Sequence, residues 1–199
     1  MKILTLATFL ILSATCFAGM RREPVPHAIT SPDGRFVFTM LPGPKGQEHS
    51  KGTGICFKIE SDGSFTEIWR TSGFYSVDLQ LHHNGNGLVR IGSWSSGDQE
   101  KGDPKESLAV AFYLKGKEIG YYKVSSLVKD ETKLQRSTAG LIWLEYTPSE
   151  SPEFSPGEEI FQLETVDGLR YRFDMNTGTI IKNRSEQGGG QPATRPKSK

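Results

Sequence analysis

Cysteine is almost missing from this 199-residue chain, which has only Cys16 and Cys56. Cys16 falls in an N-terminal stretch that reads as a removable leader, so Cys56 alone remains and no intramolecular disulfide can staple the fold. Charge of one sign is missing too: 24 Lys and Arg stand against 23 Asp and Glu. That balance leaves no electrostatic footprint for nucleic acid or an anionic membrane. After residue 20 no run approaches the ~20 apolar residues needed to cross a bilayer, so no transmembrane segment is expected. The familiar catalytic signatures are also lacking. There is no Gly-x-Ser-x-Gly elbow, and Gly43, Gly46, Gly52 and Gly54 are not followed by the Lys-Ser/Thr of a phosphate loop. No cofactor is implied.

What is present begins with the leader. Lys2, the apolar run Ile3 to Leu12 and the small residues before Gly19 form a signal peptide over residues 1–18, with cleavage after Ala18. Lipidation of Cys16 is the weaker alternative, because Ser13 stands where a lipoprotein signal favours leucine. Either route exports the chain to a periplasmic or extracellular space. Residues 19–183 then form one domain, and 184–199, without an aliphatic residue larger than alanine, form a disordered tail.

Glycine supplies the punctuation. Gly34, Gly87 and Gly140 are 53 residues apart, and Gly63, Gly116 and Gly168 follow them by 29, 29 and 28. Each first glycine precedes a strand-like run in which Phe36, Val89 and Ile142 alternate with Phe38, Ile91 and Leu144, the period of a strand with one buried face. Each second glycine sits between two further runs, and Asp62-Gly63 and Asp167-Gly168 are strong hairpin signals. The expectation is an all-β, antiparallel fold of three repeated β-meander modules at about 28–73, 77–126 and 137–183. It is propeller-like or compactly pseudo-threefold, with a two-sheet β-sandwich as the alternative. One short helix is expected over Ser125–Glu131, capped by serine.

Ser31-Pro32-Asp33-Gly34-Arg35 resembles the turn of TolB-type β-propeller repeats. The resemblance implies blades of four antiparallel strands and, in many members, a non-enzymatic interaction surface. Only the first module carries the full motif, and three modules are fewer than closed propellers use.

Function is sought in the loops that follow the first strand of each module, at 42–54, 95–107 and 148–159, expected on one common face. The second holds Asp98, Glu100, Asp103 and Glu106, and the third holds Glu150, Glu153, Glu158 and Glu159 without a base. Trp94 opens into the second loop and offers a stacking surface for a sugar or peptide. The candidate binding residues are therefore Trp94, Asp98, Glu100, Glu153 and Glu158, with a protein or carbohydrate as partner. The leading expectation is a non-enzymatic, envelope-associated binding module; the alternative is a small hydrolase or carbohydrate-active enzyme using the loop carboxylates. No catalytic residue is assigned. His82 and His83, adjacent on an expected strand, should point to opposite faces, so no metal site is assigned either.

Overall fold

The computed structural model describes residues 23–92, 103–137, 140–145, 152–155 and 157–181, and the statements below concern those residues. The leader at 1–18, the tail at 184–199 and the candidates Trp94, Asp98 and Glu100 lie outside them.

The fold is all-β and antiparallel. Strands β1 (His27–Thr30), β2 (Phe36–Leu41), β3 (Thr53–Ile59) and β4 (Phe65–Ser72) form a four-stranded meander in chain order. Strands β5 (Leu79–Leu81), β6 (Gly87–Ile91), β7 (Leu108–Leu114) and β8 (Lys117–Lys123) form a second meander with the same order. The remainder is broken. Strands β9 (Gln135–Ser137) and β10 (Gly140–Ile142) make a separate hairpin, and β11 (Glu153–Phe154), β12 (Ile160–Glu164) and β13 (Arg170–Asp174) make a three-stranded sheet. A single bridge from Leu144 to Thr165 joins the continuation of β10 to the end of β12.

The backbone shifts the expected repeat by two residues. Ser31 N–H donates to Phe36 O and Gly34 N–H to Ser31 O, both at 2.9 Å; His82 N–H donates to Gly87 O and Gly85 N–H to His82 O, also at 2.9 Å. The second turn therefore superposes Gly85, not Gly87, on Gly34, and both glycines take φ near +70°, which L side chains resist. Phe38 thus corresponds to Val89, and Met40 to Ile91. All four are buried, as a strand of period two requires, whereas Ile142 is 40% exposed and is not a core position.

Burial explains the layering. β7 is buried continuously from Ala109 to Tyr113, because both faces of the second sheet are covered. Val110 and Phe112 point into one core with Val89, Ile91, Phe161, Leu163 and Phe173. Ala111 and Tyr113 point into the other with Phe38, Met40, Cys56 and Trp69. The sheets stack as layers with the second in the middle; the described strands close no barrel, the arrangement fits the sandwich alternative, and the third stretch does not repeat the four-stranded meander of the first two.

The third sheet is inverted on the second. Phe161, at the start of β12, meets Phe112 near the end of β7 with ring centroids 6.0 Å apart. At the other end, the Asp167 carboxylate accepts from Lys129 N–H at 2.7 Å, just beyond β8. Helix α1 (Val124–Leu127) is one turn long. It starts before the serine expected to cap it, because Ser125 Oγ donates to Glu106 at 3.0 Å instead.

Candidate functional site

Inversion sets the described end of the third loop at the β5–β6 turn, while most of the second loop lies outside the described residues. Residues 157–159 pack against the β5–β6 turn, since His82 Nε2 lies 3.2 Å from Glu158 O and Asn84 Nδ2 donates to Glu159 at 2.9 Å. The β6–β7 connection leaves the opposite end of that sheet. Among the described carboxylates, Glu106 of the second stretch pairs with Lys123 at 2.9 Å, while Glu158 and Glu159 of the third stand at the β5–β6 turn. Of the expected binding residues, Glu153 is exposed in β11 opposite Gln162, and Glu158 faces Arg172 at 3.4 Å across an exposed pair. Neither meets a second carboxylate in an ion pair or hydrogen bond among the described residues. Trp69 and Trp143 are buried, consistent with packing.

A polar groove of about 410 Å³ is lined by Thr132, Lys133, Gln135, Ile142, Leu144 and Glu145. It brings together one base and one acid, but no histidine or thiol. Cys56 is buried, and the loss of solvation pushes its thiol up to about 12, so it is an inert core thiol.

Convergence of chemically able side chains occurs at the β5–β6 turn. His82 follows the last residue of β5 and His83 opens the turn, so the strand rule that sends neighbours to opposite faces does not apply. Their ring centroids are 4.0 Å apart. One donor atom each from His82, His83 and Glu159 falls within 4.8 Å of the others. His82 is fully buried, its ring flanked by Phe154 at 4.7 Å, while His83 is half-buried and Glu159 exposed. Two imidazoles and a carboxylate are a donor set suited to a divalent transition metal. The signal present in the sequence is the run His82-His83-Asn84-Gly85, which the backbone aligns with Ser31-Pro32-Asp33-Gly34 although the glycine spacing does not.

The two turns are built alike. Asp33 Oδ1 accepts from Arg35 N–H at 3.2 Å, and Asn84 Oδ1 accepts from Asn86 N–H at 2.8 Å. The Ser31 hydroxyl and then Arg35 hold the Asp33 carboxyl down at about 2. Below the second turn, Gly85 O accepts from Trp69 Nε1 at 2.7 Å and, more weakly, from the Cys56 thiol at 3.5 Å. The turn is thereby anchored to the first sheet as well as the third.

A second feature lies on the outer face of the first sheet. Register places Val37 opposite Phe57, Thr39 opposite Ile55 and Ile59 opposite Phe65, all alternating with the inward Phe38, Met40, Gly54 and Cys56. Phe57 and Phe65 meet edge to face at 6.4 Å, yet Phe65 is 60% and Leu41 41% exposed.

Compared with known proteins, the chain matches no family model and no curated protein.

Proposed function

We propose that the protein is an exported, non-enzymatic binding module whose partner is another protein with an apolar surface, docking on the outer face of the first sheet. The observation that carries this reading is the apolar row Val37, Leu41, Ile55, Phe57, Ile59 and Phe65 on the outer face of the first sheet, with Leu41 and Phe65 exposed and the other four half-buried. A contiguous apolar patch on a protein surface costs solubility and marks an interaction site more often than chance. Charge favours a protein partner over a polyanion. Lys58 pairs with Glu60 and Arg70 with Glu67, each at 2.7 Å, so the basic groups of β3 and β4 are neutralised locally. The N-terminal leader reading supports export, which places the partner in the envelope or outside the cell.

The reading is tested with a photo-crosslinking residue at position 65 of the full chain in its producing cell, with the same residue at Tyr121, exposed on β8, as control. A single protein adduct formed at 65, absent at 121 and lost in a Phe57→Ser background, supports the reading. No adduct, or the same adducts at both positions, rejects it.

A further inference from the structure

We infer that His82, His83 and Glu159 form a binding site for a divalent transition-metal ion of the zinc type, clamping the β5–β6 turn to the segment that precedes β12. This site is independent of the docking face and would stand if that face proved bare.

The first ground is that the turn does not need its histidines. Ser31-Pro32-Asp33-Gly34 folds into the same hydrogen-bonded turn with no imidazole, so the two rings of His82-His83-Asn84-Gly85 are additions to a scaffold that closes without them. The buried position of the pair differs: Ser31 satisfies its hydroxyl inside the turn on Asp33 Oδ1 at 2.7 Å, whereas His82, beyond a long 3.5 Å in-turn contact from Asn84 N–H, also reaches out of the turn to Glu158 O ahead of β12.

The second ground is the set of supporting contacts. Glu158 O, 3.2 Å from His82 Nε2, can only accept, so it fixes the tautomer with the proton on Nε2 and leaves Nδ1 as the acceptor, where it takes a long 3.5 Å contact from Asn84 N–H. That Nδ1 lies 3.6 Å from Glu159 Oε2. Asn84 Nδ2 meanwhile occupies the other oxygen, Oε1, at 2.9 Å, and so turns Oε2 towards the imidazoles. A ligating histidine whose second nitrogen donates to a carbonyl, beside a carboxylate held by an outer hydrogen bond, is the usual support for a metal centre.

The third ground is reach. Ligands about 2.0–2.2 Å from a tetrahedral ion stand roughly 3.3–3.6 Å from one another. The His82–Glu159 separation of 3.6 Å lies at the upper end of that range, and the 4.8 Å spread of the whole set closes by rotation of the half-buried His83 ring. Three protein donors leave a position for water. The link spans residues 82 and 159 in a chain that has no second cysteine after its leader, so a metal would supply the long-range cross-link that a disulfide cannot.

The test uses the purified full chain freed of metal with a chelator and titrated with Zn²⁺, following heat of binding and Tm; Co²⁺ provides a visible spectrum. His83→Ala and Glu159→Gln are the variants, because both side chains are solvent-accessible and circular dichroism can verify their fold; His27→Ala is the control. The expected result is one Zn²⁺ per chain, a raised Tm, and affinity lowered at least tenfold in each variant but not in the control. Absence of stoichiometric binding in the wild type, or equal affinity in either folded variant, overturns the site.

Discussion

At the scale of single residues, the molecule uses small and apolar groups where charged ones would be costly. Cys56 illustrates this, packed with Phe38 and Trp69 in the core between the first two sheets. Burial raises its pKa from 9.0 to about 12, so the folded protein keeps the proton while the unfolded chain loses it from about pH 9. The unfolded state then binds fewer protons, and stability falls as pH rises between those values; below pH 9 this contribution is constant. The expected outcome is that iodoacetamide at pH 8 leaves Cys56 unmodified in the native protein and alkylates it within minutes in urea, as read by mass spectrometry. Rapid native labelling would show that the thiol reaches solvent. Gly85 shows a second constraint. Its φ is +70°, and an added Cβ would lie 2.4 Å from the Phe36 ring, so no side chain fits this point where the turn crosses the first sheet.

Elements follow from turns, and turns are where the sequence is most explicit. The β7–β8 hairpin closes through Lys115 and Gly116, with φ of 48° and 79°. That is the two-residue turn whose twist matches the flanking strands, and it prefers Asn-Gly or Gly-Gly. Lysine at its first position carries a left-handed backbone penalty of about 1–2 kcal/mol. Lys115→Asn is therefore expected to raise stability by about 0.5–1 kcal/mol, measured as a higher urea midpoint at unchanged m-value. No gain would mean that Lys115 makes an offsetting contact in the native state. Alternation and Asp-Gly turns made β2, β3 and β12 legible, because a half-covered sheet writes its period of two into the sequence. The register between repeats was not legible. Gly87 invited alignment with Gly34 by spacing alone, while the residue with positive φ is Gly85. The histidine site was hidden for a related reason: its members reverse a strand rule only because β5 ends at Leu81, and Glu159 is brought to them by sheet packing that no local pattern encodes.

The whole molecule is held together by a sheet that belongs to two cores. In β7, Val110 and Phe112 face the third sheet while Ala111 and Tyr113 face the first. Its unbroken apolar run was visible in the sequence and is explained by two-sided cover, although which sheets supply that cover was not. Sharing a backbone in this way couples the cores, since loss of either packing surface releases the same strand. Phe38→Ala, in the first core, and Phe161→Ala, in the second, should each cost about 3–5 kcal/mol through lost burial and the cavity left behind. Both rings are fully buried. If the coupling is tight, calorimetry will give one transition for the wild type and each variant, with calorimetric and van't Hoff enthalpies equal and Tm lowered by either change. Two resolved transitions, with Phe38→Ala moving only one of them, would mean that the first sheet unfolds by itself. The junction at Gly85 argues for the first outcome. Its carbonyl is held by Trp69 from the first sheet, and the same turn contacts Glu158 and Glu159 ahead of the third, so separating either outer layer breaks hydrogen bonds to the middle one.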